Sequence, residues 1–169
     1  RYEHSVFLKG SAGTAHEMIA VGWNTGSASQ LVSQANLQGA QGYAYAGHRT
    51  FSGQIVSLHD KDLTSPARYG YQASTEDPRT QSDFLARMNA QGARGLRIRP
   101  VEVPQPNLAA GTLPVRTMLW ERDTAQAATF SYSSAVQPLD ETEFRELAVR
   151  EGRTGGILAA SYLNLGLPG

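Results

Sequence analysis

The sequence contains no cysteine, so disulfides, thiol catalysis and thiolate metal sites are excluded. It also lacks an excess of charge of either sign, because 15 Lys and Arg balance 15 Asp and Glu. No overall field therefore draws the chain to nucleic acid or to an anionic membrane. No apolar run approaches the roughly 20 residues of a membrane-spanning helix. What is left is a neutral chain of 169 residues, which suits one domain or several small units sharing a core.

The first residue is Arg1 rather than methionine. Together with the absence of cysteine, this start favours a mature exported protein, periplasmic or secreted, from which a signal segment has been removed. A trimmed cytoplasmic protein is the alternative.

One motif occurs three times, at residues 30–43, 83–96 and 143–156. Internal repetition is considered before any other pattern, because it determines the architecture. Aligned without gaps, the three copies place an apolar residue at the start and two glycines near the end. These positions are Leu31, Phe84 and Phe144; then Gly39, Gly92 and Gly152; then Gly42, Gly95 and Gly155.

Each copy begins with the spacing of a helix capping box. Ser27, Thr80 and Asp140 stand three residues before Gln30, Asp83 and Glu143, so each can cap the first turn of a helix. We expect three short helices that end in the left-handed conformation at Gly39, Gly92 and Gly152. The helical spacing of apolar residues predicts that one face of each helix is buried. The residues expected to be nearly inaccessible are Leu31, Phe84, Met88, Phe144 and Leu147.

Strand patterns surround each predicted helix. One follows each glycine pair, at residues 43–45, 96–99 and 157–161, and a nearer one precedes each helix, at 18–23, 68–72 and 128–133. A farther set, at 5–9, 54–59 and 115–121, is expected to form hairpins with the nearer set through the loops 60–66 and 123–127. The fold class is therefore α+β. We expect one domain, residues 1–169, of three tandem β-β-α-β repeats at about 1–52, 53–103 and 112–169, with a proline-rich linker at 100–111.

A single repeat is too small to bury much surface, so the three repeats should share a core with pseudo-threefold symmetry. Alternation of apolar and polar residues favours a mainly antiparallel sheet, covered by the helices on one face.

The helix-end pattern resembles small bacterial strand-strand-helix-strand domains of unknown function. Their hallmark is a helix that ends in Leu-Asn-x-x-Gly-x-x-Gly followed by Tyr or Trp. The resemblance covers residues 35–45 and 88–98, whereas the third copy has Val149 in place of Asn and Gly156 in place of the aromatic residue. It implies a motif that determines the fold, a bacterial source and no catalytic residue.

Signatures of chemistry are few. The sequence has no HExxH zinc motif and no G-x-S-x-G nucleophile elbow, and its glycine pairs follow helices rather than precede them as phosphate-binding loops do. We therefore expect no metal and no cofactor. If a polar ligand site forms where the repeats meet, the expected participants are His48, His59, Asp60, Arg97, Tyr45 and Tyr71.

These patterns favour a non-catalytic binding or structural module of unknown ligand, partner and oligomeric state. An enzyme or small-ligand binder, with its polar site at the repeat junction, is the first alternative. Binding of single-stranded nucleic acid by an aromatic sheet face is a weaker one, because the neutral charge counts against it.

Overall fold

In the computed structural model, residues 15–22, 27–51, 54–75, 80–101, 117–135 and 140–156 are described. The elements in chain order are β1 (His16–Gly22), α1 (Ala28–Gly39), β2 (Ala44–Phe51), β3 (Gln54–Asp62), β4 (Tyr69–Thr75), α2 (Gln81–Ala93), β5 (Arg97–Val101), β6 (Thr117–Asp123) and α3 (Glu141–Arg153). The α+β class is confirmed. None of the helices in these ranges combines the length and apolarity needed to cross a bilayer.

The strands form two three-stranded antiparallel sheets rather than one. The first sheet has the order β1-β3-β2 and the second has the order β4-β6-β5. In each sheet the outer strands are those immediately before and after a helix, and the central strand comes next along the chain. The predicted hairpins are therefore wrong: β3 pairs with β1 and β2, and β6 pairs with β4 and β5. Central insertion satisfies both edges of β3 and of β6, which a hairpin would not.

Three of the predicted strands do not appear among the strands that the structure describes. The predicted strands at residues 5–9 and 157–161 lie outside the described residues. Residues 127–135 form an irregular segment rather than the predicted strand at 128–133.

The helix starts are as predicted. The side chains of Ser27, Thr80 and Asp140 accept from backbone amides of the first turn, at 3.4 Å, 3.0 Å and 2.8 Å for the nearest amide of each. The predicted helix ends are wrong in one respect. Positive φ values occur at the second glycine of each pair, Gly42 (93°), Gly95 (79°) and Gly155 (82°), and not at the first. The second glycine makes the left-handed turn, so the first glycine needs another explanation.

The apolar residues form two clusters on opposite faces of the second sheet. Along β6, Leu119 joins Leu31 and Ala35 of α1, whereas Met118 and Trp120 join Met88 of α2. The alternation follows from the two-residue period of a strand. The prediction that the helices cover one face is therefore wrong for this sheet, which has α1 on one face and α2 on the other.

Burial separates the three helices. Leu31 and Met88 are buried as predicted, but Phe84, Phe144 and Leu147 are only half-buried. α3 has no buried residue in the described part of the chain. The prediction of a nearly inaccessible face is therefore correct for α1, correct in part for α2 and wrong for α3.

Candidate functional site

The end of α1 is joined to strand β4 by one asparagine and one glycine. The Asn36 side chain accepts from the backbone N–H of Tyr71 at 2.7 Å and donates to its carbonyl oxygen at 2.9 Å. At Gly39, an added Cβ would lie 2.2 Å from the carbonyl oxygen of Tyr69. Glycine is needed there because the strand backbone lies directly against the helix. We call the contacts of Asn36, Gly39, Tyr69 and Tyr71 the first joint.

The same contacts recur between α2 and the segment 127–135. Asn89 accepts from the N–H of Tyr132 at 2.8 Å and donates to its carbonyl oxygen at 3.0 Å. A Cβ at Gly92 would lie 2.1 Å from the carbonyl oxygen of Phe130, whose N–H donates to Gly92 at 3.0 Å. We call the contacts of Asn89, Gly92, Phe130 and Tyr132 the second joint. The repeated Asn-x-x-Gly motif thus holds a later segment of the chain against α1 and against α2.

The tyrosine hydroxyls extend both joints. Tyr71 accepts from the N–H of Tyr45 in β2 at 2.7 Å, and Tyr132 accepts from the N–H of Ile98 in β5 at 2.9 Å. Each hydroxyl therefore holds the strand after a helix to the chain segment that packs on that helix. A phenolic hydroxyl can accept one hydrogen bond and donate another at the same time, as a tyrosine in this position must.

The hydroxyls of Tyr71 and Tyr132 donate to different partners, and the partner of Tyr71 is a carboxylate. Glu121 of β6 is 0% exposed and accepts from the Tyr71 hydroxyl at 2.7 Å. It also accepts from Arg97 Nε at 2.6 Å and from Arg99 Nε and Nη2 at 3.1 Å and 3.0 Å. We call Tyr71, Arg97, Arg99 and Glu121 the Glu121 cluster. Two guanidinium groups and one hydroxyl satisfy a carboxylate that would otherwise be too costly to bury.

The electrostatics of the Glu121 cluster keep Tyr71 neutral. Burial, followed by the negative charge of Glu121, raises the pKa of the Tyr71 hydroxyl well above its ordinary value. The phenol therefore stays a donor to the carboxylate throughout the physiological range. Arg97 and Arg99 are 37% and 31% exposed along their side chains, so the cluster reaches solvent on the arginine side.

A cavity of about 320 Å³ opens beside the Glu121 cluster. Its lining includes Tyr69, Arg97, Glu121, Asp123 and Phe130. Burial is the main reason that the pKa of Tyr69 is raised. Asp123 accepts from the backbone N–H of Ala125 at 2.8 Å and so holds the loop after β6. The cavity therefore has one partly exposed cation and an aromatic wall, and its carboxylates already have hydrogen-bond partners.

A buried serine–histidine pair lies in the first sheet. His59 is 0% exposed, and its Nε2 lies 3.0 Å from the Ser57 hydroxyl. The His59 Nδ1 atom is buried and has no hydrogen-bond partner among the described residues. Desolvation lowers the pKa of His59 to about 4, so the imidazole is neutral at pH 7. The Ser57 hydroxyl also lies 3.2 Å from Gln34 Oε1 in α1. Both residues are closed to solvent, so this pair has no open position for a substrate.

The six residues predicted to form a site make three sets of side-chain contacts, two of which are joined by the hydrogen bond from the Tyr45 N–H to the Tyr71 hydroxyl. Tyr45 packs edge-on against His59, with ring centroids 5.7 Å apart, and its hydroxyl lies 3.4 Å from His48 Nδ1. Asp60 instead pairs with His16 at 3.1 Å. The third set lies in the Glu121 cluster, which contains Tyr71 and Arg97.

The predicted set of site residues did not include Glu121, Arg99 or the two asparagines. The asparagines carried a signal, because they repeat at the same place before the first two glycine pairs. Glu121 carried none, since it is one charged residue within an otherwise ordinary strand pattern.

Two further observations bear on function. Within the described ranges, no three His, Asp or Glu side chains converge as metal ligands would. Comparisons with protein-family models, with curated proteins and with solved structures found no match to this chain.

Proposed function

We propose that the chain is a non-catalytic binding or structural module made of three tandem units with pseudo-threefold symmetry. The supporting geometry is the joint, which occurs twice with the same hydrogen bonds, and the glycine turn, which ends each of the three described helices. An exported bacterial protein is part of this proposal and rests on the sequence alone.

The observation that carries the proposal is the complete burial of Glu121. Catalysis needs polar groups that reach a substrate atom. Here the buried Glu121 carboxylate has both oxygens occupied by Arg97, Arg99 and Tyr71. Its partners come from β4 and β5, the two strands on either side of β6. The polar residues of this part of the chain therefore hold strands together, which is an architectural role.

A structural role for Glu121 is tested by Glu121→Gln. This variant keeps the shape of the side chain but removes the negative charge that pairs with Arg97 and Arg99. We therefore expect a loss of about 3 kcal/mol in unfolding free energy. Glu141→Gln is the matched control, because Glu141 pairs with Arg145 at 2.9 Å but is 86% exposed along its side chain. It should change stability by less than about 0.5 kcal/mol. Equal stability of the two variants in urea titrations would remove the support that Glu121 gives to this proposal.

A small-ligand binder is the second candidate function, and the cavity beside the Glu121 cluster favours it. Arg97, whose side chain is 37% exposed, provides a cation that suits a carboxylate or phosphate, and Tyr69 and Phe130 are among the lining residues. Thermal-shift measurements with small organic carboxylates and with inorganic phosphate would test it, using Arg97→Gln as the binding-deficient variant. Stabilisation of the wild type that Arg97→Gln abolishes would favour this candidate. Turnover in a screen of esterase, phosphatase and glycosidase substrates would contradict the non-catalytic proposal.

Nucleic-acid binding by an aromatic sheet face gains no support from the packing. Tyr45, Tyr71 and Trp120 are 2%, 6% and 1% exposed, so their rings are part of the core. Base stacking needs an open aromatic face.

A further inference from the structure

Arg97 and Asp123 carry opposite charges and line the same cavity, the one beside the Glu121 cluster. They do not pair with each other. Among the described residues, the ion pair of Arg97 is with Glu121. Asp123 instead accepts from the backbone N–H groups of Ala125 and Arg68, at 2.8 Å and 3.5 Å. Two opposite charges that share a cavity without pairing suit a ligand that carries both charges.

The register of the second sheet explains how these two side chains come to share the cavity. Arg97 of β5 lies opposite Glu121 of β6, and Tyr69 of β4 lies opposite Asp123 of β6. Glu121 and Asp123 are two residues apart on one strand, so their side chains point to the same face. Arg97 and Asp123 are therefore diagonal neighbours, about 7–8 Å apart. A ligand of a few heavy atoms can span that separation.

Both charged side chains keep polar atoms that the protein does not use. Arg97 directs its Nε and Nη2 atoms to Glu121, so Nη1 has no partner in the described part of the chain. Both hydrogen bonds of Asp123 are to Oδ1, and within the same ranges Oδ2 has none. A guanidinium donates to a carboxylate, and a carboxylate oxygen accepts from an ammonium group. The two unused atoms thus suit a carboxylate at Arg97 and an ammonium group at Asp123.

Tyr69 and Phe130 are also among the residues that line the cavity. Burial is the first reason that the pKa of Tyr69 is raised, and the charges of Arg97 and Asp123 act on it with opposite signs. The Tyr69 hydroxyl therefore lies near both charges. The cavity volume of about 320 Å³ is at the lower end of the range for small-molecule sites. A single small molecule with an apolar part and two opposite charges fits these dimensions.

We propose that this cavity binds a free α-amino acid with an apolar side chain. Arg97 binds the carboxylate, Asp123 binds the ammonium group, and Tyr69 and Phe130 contact the side chain. Both charged groups of an α-amino acid are bonded to one carbon atom, so a single molecule reaches both residues. The two terminal charges of an extended peptide are too far apart to do so. This inference rests on the second candidate function, the small-ligand binder.

Isothermal titration calorimetry of the full chain with three probes tests the inference. The probes are L-phenylalanine, 3-phenylpropanoate, which lacks the ammonium group, and 2-phenylethylamine, which lacks the carboxylate. Phenylalanine should bind at least about tenfold more tightly than either, because each of the others loses one charge-assisted contact. Equal affinity for 3-phenylpropanoate would overturn the amino-acid assignment and leave the small-ligand binder standing. No binding of phenylalanine would also overturn it, and the thermal-shift series with carboxylates and phosphate then reports on the second candidate by itself.

Asp123→Asn and its matched control Asp62→Asn separate the ammonium contact from a structural effect. Asp62 and Asp123 are the last residues of the central strands β3 and β6, and each accepts from the backbone N–H two residues later at 2.8 Å. Asparagine keeps that acceptor but loses the charge, and Asp62 is not a lining residue of the cavity.

Asp123→Asn should weaken phenylalanine binding at least about tenfold and leave the affinity for 3-phenylpropanoate unchanged. Asp62→Asn should leave both affinities unchanged. Phenylalanine affinity that is the same in Asp123→Asn and in the wild type would overturn the inference. Loss of both probes in Asp123→Asn would overturn it as well, because that pattern reports a damaged cavity rather than a lost ammonium contact.

Discussion

The first glycine of each motif tests the joints, because an added side chain would meet backbone at Gly39 and Gly92 but open space at Gly152. At Gly92, an added Cβ would lie 2.1 Å from the carbonyl oxygen of Phe130, and at Gly39 it would lie 2.2 Å from that of Tyr69. At Gly152 an added Cβ would meet nothing within 4 Å. None of the three has a positive φ in the structure, so alanine is compatible with the backbone at each position.

The magnitude follows from the contacts that must move. To relieve the contact at Gly92, the segment 127–135 must shift from α2 by roughly 1 Å, because carbon and oxygen atoms pack at about 3.3 Å. That shift stretches the Phe130–Gly92 hydrogen bond and both bonds from Asn89, each contributing about 1 kcal/mol. Alanine regains about 1 kcal/mol of helix propensity over glycine. Gly92→Ala should therefore destabilise the protein by about 2 kcal/mol, whereas Gly152→Ala should stabilise it by up to about 1 kcal/mol.

Urea unfolding followed by circular dichroism measures both variants on one scale. Opposite signs for Gly92→Ala and Gly152→Ala are the expected result, with Gly39→Ala behaving like Gly92→Ala. Stability changes of the same sign and size at Gly92 and Gly152 would refute the argument that the first glycine permits close approach of the following chain.

Two further outcomes follow from the same structure. Asn36→Ala leaves the N–H and C=O of Tyr71 without their partner, so it should lower the unfolding free energy by about 2 kcal/mol in urea titrations. Val149→Asn changes the equivalent but exposed position of α3. It should change the unfolding free energy by less than about 0.5 kcal/mol. The neutral His59 should make stability fall as the pH is lowered. Its folded pKa of about 4 lies below the unfolded value of 6.5, so the unfolded chain binds the extra proton between these values. The loss should approach about 3 kcal/mol by pH 4. His59→Gln should flatten this dependence in unfolding measurements across that range, and His16→Gln, which changes an exposed histidine, should not; an unaltered slope in His59→Gln would contradict the role of the buried imidazole.

The sequence predicted the features that depend on neighbouring residues. Capping by Ser27, Thr80 and Asp140 acts within one helical turn, so the helix starts could be read from spacing alone. Strand pairing could not be read in the same way. The pattern located β3 and β6 but did not show that each inserts between two earlier strands, because that choice depends on contacts between distant parts of the chain.

The errors at the glycines and at the candidate site have the same cause. The first glycine of each pair was assigned to the left-handed helix end, whereas Gly39 and Gly92 admit the backbone of Tyr69 and Phe130, which lie about 30 to 40 residues further along the chain. Glu121 was missed because its partners Tyr71 and Arg97 are 50 and 24 residues away. A buried carboxylate has no local signature. Its position is revealed only when β4 and β5 are placed on either side of its own strand, β6.

The central claim is that the polar residues around Glu121 are an architectural unit that ties Tyr71 of the first joint to strands β5 and β6. A double-mutant cycle tests it most directly, with unfolding free energies measured for Tyr71→Phe, Glu121→Gln and the double variant. Because the Tyr71 hydroxyl donates to Glu121 at 2.7 Å in a buried site, the cycle should give a coupling energy of about 1 kcal/mol or more. The matched cycle uses Tyr132→Phe, whose hydroxyl donates to the Leu96 carbonyl instead, and should be additive with Glu121→Gln. Additivity in the Tyr71 cycle, or equal coupling in both, would contradict the account.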